Sequence, residues 1–155
     1  MNDIIIKKAE IVDLECIQNL NNDLFELEYA SFDPDLILGW PYTTEGKKYF
    51  TDIIEHNICY ISLKDKVIVG YLAGRLNIDN SYISKTTAEL ENMCILDSCR
   101  GFGIGNLLIN EFIKVCKQND IERIIVTASS KNSNAIEFYK KQGFADYNRT
   151  LKMNI

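Results

Sequence analysis

Three glycines at alternate positions, Gly101, Gly103 and Gly105, lie between two apolar stretches of different period. Upstream, the stretch from Glu89 is apolar at Leu90, Met93, Cys94, Ile95 and Leu96, and reads as a half-buried strand. Downstream, Ile104, Leu107, Leu108, Phe112, Val115 and Cys116 recur at helical spacing. A strand, a glycine-rich turn and a helix in this order put a helix N-terminus at the end of a strand. Such an N-terminus leaves about four backbone N–H groups unpartnered and carries a partial positive charge. Glycine removes the side chains that would keep an anion away from them. The ligand this arrangement predicts is a phosphate or pyrophosphate.

The common phosphate loops fit poorly by spacing. A Walker loop ends in Gly-Lys-Ser/Thr, whereas Gly105 is followed by Asn106 and Leu107. A dinucleotide fingerprint needs a third glycine where this chain has Asn106 or Leu108, and no acidic residue ends the next strand. A third pattern fits. Arg100-x-x-Gly103-x-Gly105 after a strand resembles the Gln/Arg-x-x-Gly-x-Gly/Ala signature of the GNAT superfamily of acetyl-CoA-dependent N-acetyltransferases. Asn132-x-x-Ala135-x-x-x-Tyr139 followed by Gly143-Phe144 resembles the second cofactor segment of that family. These motifs run from Glu89 to Phe144, more than a third of the chain.

Composition narrows the alternatives. The chain has 155 residues, 46% hydrophobic and 25% charged, as expected of one globular domain over residues 1–155. No run approaches the roughly 20 apolar residues of a membrane span, and Lys7 and Lys8 close the first apolar stretch too early for a signal peptide. Five cysteines without a Cys-x-x-Cys pair read as reduced thiols of a cytoplasmic protein. With His56 as the only histidine, a metal site or a Ser/His/Asp machine is disfavoured. A net charge of −5 argues against nucleic acid as partner. The charge is uneven: nine acids and no base lie between Ala9 and Gly46, and nine bases against five acids follow from Arg100. The basic half holds the predicted anion site, and the acidic half would attract a cation.

Taken in order, the pattern predicts a strand over Asp3–Lys8, a helix from Asp13 to about Tyr29, and an irregular stretch Ser31–Thr43. A second helix follows over Glu45–His56, then a hairpin of Asn57–Leu63 and Val67–Leu76 in which Gly70 and Gly74 mark bulges. The central strand is Thr86–Leu96, the long helix Ile104–Asn119, a buried strand Arg123–Ala128, and a short helix Asn134–Gln142 with Gly143 at its end. One or two final strands are expected in Phe144–Asn154. Hairpin connections predict antiparallel early strands, and the helical crossover a parallel last pair. The expected class is α/β (α+β): a mixed, mostly antiparallel sheet flanked by about four helices, as in the GNAT fold.

The resemblance implies transfer of an acetyl group from acetyl-CoA to a primary amine by direct attack in a ternary complex, without a metal. An alkyl ammonium of pKa about 10.4 leaves on the order of one molecule in a thousand neutral at pH 7, so a base is needed. Glu89 and Glu91 stand two apart on the central strand and are expected to share a face with Met93 and Ile95. The resemblance matches Glu89 to a family base; a second family position for a base is Thr127 here. An oxyanion needs donors, which the resemblance assigns to the backbone of Met93, Cys94 and Ile95. It also assigns the pyrophosphate to the stretch Arg100, Gly101, Phe102, Gly103, Ile104, Gly105 and Asn106, the cofactor arm to Asn132, and the general acid to Tyr139. Bland readings remain beside these: strand-face carboxylates, an Asn132 helix cap, a core Tyr139. The acceptor wall implied by the family is Tyr29–Thr44, which follows Glu26 and Glu28; with Glu28, its Asp33, Asp35, Trp40 and Tyr42 would make an acidic, aromatic pocket for a cationic small molecule or peptide amine. A homodimer is left open. The rival readings are a catalytically inactive acyl-CoA-binding module and, less well matched, a dinucleotide-binding domain.

Overall fold

The structure, a computed structural model, describes residues 3–155. In chain order the elements are β1 (Ile4–Lys8), α1 (Leu14–Ser31), α2 (Thr44–His56), β2 (Ile58–Lys64), β3 (Val67–Arg75), β4 (Thr87–Ile95), α3 (Ile104–Gln118), β5 (Arg123–Val126) and α4 (Ser133–Lys141). The sheet order is β1-β2-β3-β4-β5. The first three pairs are antiparallel and β4–β5 is parallel, as loop lengths and the α3 crossover require. No helix among the described residues is long and apolar enough to cross a membrane.

Each sheet face is buried by helices, because each apolar helix stripe needs a partner surface. On one face Ile17 and Leu20 of α1 and Phe50, Ile53 and Ile54 of α2 pack on Cys59, Ile61, Tyr71 and Ala73. On the other, Ile104, Leu108, Ile109, Phe112 and Cys116 of α3 pack on Leu72, Ala88 and Leu90. Removing one such side chain from water is worth about 1.5–3 kcal/mol, so the two α3 and α1/α2 layers carry the fold. Thr43 caps α2 by accepting from the Gly46 N–H at 3.1 Å. The register shifts beside both predicted glycines. Val69 is extra opposite Ser62–Leu63, and Glu91 is extra opposite Ala73–Gly74.

Two expectations change. Residues 144–155 form no strand and are mostly exposed, with Leu151, Met153 and Ile155 in solvent. Their pattern is strand-like, but contacts are made by side chains rather than a backbone ladder. Arg123 Nη1 donates to the Tyr147 hydroxyl at 3.2 Å, and Lys152 reaches Asp35 at 3.3 Å. For the same reason β5, expected to be buried and to run to Ala128, ends at Val126 and is half-buried.

Candidate active site

β4 and β5 pair only over Thr87–Leu90 and Arg123–Val126. Beyond Leu90 the β5-side edge of β4 has no partner strand among the described residues, and a gap opens in the sheet. At this point Glu91 bulges. A bulge shifts the two-residue alternation by one, so the expected shared face of Glu89, Glu91, Met93 and Ile95 is not formed. Met93 and Ile95 pack on the α3 side. Glu91, Asn92 and Cys94 meet groups of the α1/α2 side instead. The gap therefore has carboxylates at one face of the sheet and the glycine turn at the other.

The two carboxylates differ. Glu91 accepts from Arg75 Nε at 2.9 Å and from the Tyr49 hydroxyl in a short hydrogen bond. Arg75 Nη1 is held in turn by Asp52 at 2.9 Å, and Asp52 lies 3.5 Å from His56 at the end of α2. Glu89 is half-buried and has no hydrogen bond or ion pair among the described residues. Burial first, and then the Glu91 charge, raise its pKa above the ordinary carboxylate value, with Arg75 opposing. Burial drives the Tyr49 hydroxyl far up as well, with the Glu91 contact adding to it. Such a phenol stays a donor at working pH.

The glycine turn leads into α3, whose N-cap Gly103 offers no side chain to its N–H groups. Gly101 and Gly103 have φ of 81° and 78°, the left-handed region, and no atom lies within 4 Å of a Cβ built on either. The space above the turn is open. Gly105 has another reason to be glycine, since its Cβ would meet the Phe138 ring at 2.8 Å. Gly105→Ala is expected to cost about 1–3 kcal/mol through overpacking, read as a lower melting temperature with acetyl-CoA affinity changed little. The Arg100 guanidinium, read as a phosphate contact, is held by the Ile95 carbonyl at 3.1 Å and Asp97 at 2.8 Å. Exposed Phe102 lies under Lys64, 4.9 Å from its ring centre. Ile104 is buried at the first turn, and Asn106 accepts from Gln142 at 2.9 Å. Cys94 is buried, which pushes its thiol up to about 11 and makes it a packing residue.

Asn132 caps α4: its Oδ1 accepts from the Ala135 N–H at 3.1 Å. Its Nδ2 has no partner among the described residues. The Gly143-Phe144 pair closes the helix. The Phe144 N–H reaches the Tyr139 carbonyl at 3.1 Å and the Gly143 N–H the Lys140 carbonyl at 3.0 Å, with Gly143 at φ 99°. This is a Schellman motif, completed by the Phe144 ring 5.6 Å from that of Tyr139. Tyr139, like Met93, Ile95 and Phe138, packs against the α3-side core, with its ring 5.4 Å from that of Phe138. Its hydroxyl has no partner among the described residues, and burial, then the charge of Glu28, push its pKa up to about 12.

The predicted acceptor wall divides. Glu28 faces Tyr139 electrostatically from α1, and its own pKa is raised by burial and then by Asp33. Asp33 and Asp35 lie 3.8 and 3.3 Å from Lys152. Trp40 is half-buried, stacked on Phe25 at 5.7 Å, and contacts the Tyr49 ring at 5.7 Å, so it backs the site instead of lining it openly. Tyr42 is turned to the outer side of α1, where it donates to Asn19 at 2.7 Å, and does not join the carboxylates. An open cleft of about 500 Å³ on the exposed side of α2 is lined by Tyr42, Asp52 and His56 among others, and by neither of the two β4 glutamates. Sequence reading missed Tyr49, Arg75 and Asn92. The signal for Arg75 was present: it is the one charged residue of β3, at the end of an otherwise uncharged strand. Tyr49 was read as a core residue because its ring is one.

The chain matches the Acetyltransferase (GNAT) family over residues 17–144, and it belongs to that family. The uncharacterized N-acetyltransferase CgeE of Bacillus subtilis (strain 168) is 34% identical over 101 residues, 65% of this chain and 37% of that protein. The chain thus spans little more than a third of that relative. Among solved structures, a mutant BH1408 protein from Bacillus halodurans superposes with a TM-score of 0.83 at 19% identity, over 97% of this chain and 99% of the other. An aminoglycoside N-acetyltransferase, AAC(6')-Iy, in complex with CoA gives 0.79 at 17% identity, over 100% and 96%. At such identities these structures speak for the fold. The open, uncapped glycine turn and the free β4 edge suit the phosphates and the amide-bearing arm of CoA, the family's cosubstrate.

Proposed function

We propose that the protein transfers the acetyl group of acetyl-CoA to a cationic primary amine within a ternary complex. The observation that carries this is the gap between β4 and β5. It joins an anion-ready helix N-terminus on one face of the sheet to a carboxylate pair on the other. Acetyl-CoA would supply a thioester-activated acetyl group. The β4 edge from Met93 to Ile95 would pair with its arm and donate N–H groups to the acyl oxygen. The N–H groups from Arg100 to Asn106 would hold the pyrophosphate, and the free Nδ2 of Asn132 the arm. The carboxylate pair would accept the amine proton, and Tyr139 would donate to the departing sulfur. The acceptor would approach past Glu28, Asp33 and Asp35, with Trp40 behind. Aminoglycoside acetyltransferases among the structural neighbours agree with a cationic acceptor, a polyamine, amino sugar or lysine-like amine. The presence of both glutamates and Tyr139 favours an enzyme over a silent acyl-CoA-binding module.

The test is free-thiol release from acetyl-CoA with a panel of amines. Polycations should be the best acceptors, and their kcat/KM should fall as salt rises, because charges are screened over roughly 8 Å at physiological ionic strength. Asp33→Asn with Asp35→Asn should raise KM for a polycation about two- to fivefold, since these exposed acids are partly answered by Lys152. A neutral or anionic best acceptor would reduce the acidic stretch to a solvated surface.

A further inference from the structure

Glu89 and Glu91 are chemically alike, and the structure makes them unlike. Both oxygens of Glu91 are engaged, Oε1 by Arg75 and Oε2 by Tyr49. Behind Tyr49 a line of donors runs one way. Asn21 Nδ2 donates to the Tyr71 hydroxyl at 2.8 Å, and that hydroxyl to Asn92 Oδ1 at 2.5 Å. Asn92 Nδ2 then donates to the Tyr49 hydroxyl at 2.9 Å, which donates to Glu91. A hydroxyl has one proton to give, so every donor in the line is committed toward Glu91. The line starts in the core, where Tyr71 and Asn21 are 0% and 2% exposed. Glu89 has none of this. It sits opposite Ile125, one residue before the β4–β5 pairing ends, at the lip of the gap.

We infer that Tyr49 and Arg75 are positioning residues that clamp Glu91, and that the clamp leaves Glu89 as the carboxylate free to take the proton of the incoming amine. This rests on the acetyltransferase reading above. In the balanced step a Glu89 oxygen takes one proton from the ammonium nitrogen and later passes it to water. The freed lone pair forms the N–C bond as the C–S bond breaks. Sulfur gains a proton from Tyr139, the nitrogen's second proton restores Tyr139, and the third stays on the amide. The charges that act on Glu89 are Glu91 on its own strand and Arg75 on β3; on α2, Tyr49 is held by Glu91, Asp52 by Arg75, and His56 by Asp52. Arg123 on β5 is turned to Thr87 and Tyr147. Burial and Glu91 raise the Glu89 pKa, and Arg75 lowers it.

Carbon-13 NMR titration of glutamate carboxyls in the ligand-free chain reads the clamp without turnover. The Glu89 midpoint should lie above the usual carboxylate range. Glu91→Gln should move it to lower pH, because the neighbouring negative charge is deleted and Arg75 keeps only Asp52 as an ion-pair partner. In turnover, Glu89→Gln should lower kcat/KM about a hundredfold and erase the acid limb of the pH profile. Glu91→Gln should lower it about tenfold and shift that limb to lower pH, and Tyr49→Phe should cut kcat by a similar factor without changing KM for acetyl-CoA. An unmoved Glu89 resonance in Glu91→Gln, or an acid limb that survives Glu89→Gln and vanishes in Glu91→Gln, would overturn the inference. A wild-type chain inactive on every amine would instead contradict the acetyltransferase reading, and the NMR midpoint would still decide the clamp.

Discussion

Tyr139→Phe is expected to lower turnover roughly ten- to a thousand-fold while leaving acetyl-CoA affinity nearly unchanged. The substitution keeps the ring that packs against Phe138 and Phe144 at 5.4 and 5.6 Å. It deletes a hydroxyl that has no partner among the described residues. Removing an unpartnered hydroxyl costs the fold almost nothing, so lost activity reports on chemistry. With its pKa pushed up to about 12, the phenol holds its proton at any working pH. A free thiol has a pKa near 8.5, so complete transfer to an isolated thiolate would run uphill. The proton can therefore move only as the nitrogen, acidified by bond formation, returns one. That coupling makes the hydroxyl matter to the transition state more than to binding. Unchanged turnover in a folded variant would return Tyr139 to the core.

Gly103→Glu should abolish the thermal shift that acetyl-CoA produces. At a hundred times Kd, binding stabilises the native state by about 2.7 kcal/mol, or roughly 5–10 °C for a chain of this size. A glutamate at φ 78° carries left-handed strain of about 1–2 kcal/mol and sets its own carboxylate before the uncapped N–H groups of α3. The variant fills the anion site with an anion. Gly39 is the internal control: its φ is 75°, its surroundings are equally open, and it lies outside the glycine turn. Gly39→Glu should melt lower by a similar amount and keep the full shift. Equal shifts in wild type and Gly103→Glu would remove the site assignment.

Helices α1–α4 and strands β1–β5 were legible because hydrophobic period and punctuation agree along them. Ile104 to Cys116 repeats at helical spacing after a glycine turn, and the hairpin turns where Asp65 and Lys66 take positive φ. A register shift at Gly74 was legible, but which residue of β4 it would leave unpaired was not. Nothing in Glu-Leu-Glu-Asn says that Glu91 will be the unpaired residue, and one such residue exchanges the faces of everything after it. The Glu91 clamp depends on that exchange: Tyr49, Arg75 and Glu91 are far apart in sequence and meet only once the bulge has turned the carboxylate toward α2. The final segment failed for the opposite reason. Alternation at Leu151, Met153 and Ile155 is a local property, and a strand needs a neighbouring edge, which local pattern does not provide. Tyr42 shows the limit of reading aromatics in loops, since its direction is set by Asn19 on a different element.

On this reading the gap between β4 and β5 brings an acetyl donor and an amine together. The direct measurement incubates the purified chain with acetyl-CoA and a polyamine, and follows thiol release and product mass together. The account predicts one free thiol for each acetyl group gained by the amine, with both signals reduced in step by Tyr139→Phe. Saturable acetyl-CoA binding with no acetylated product from any cationic amine would contradict it.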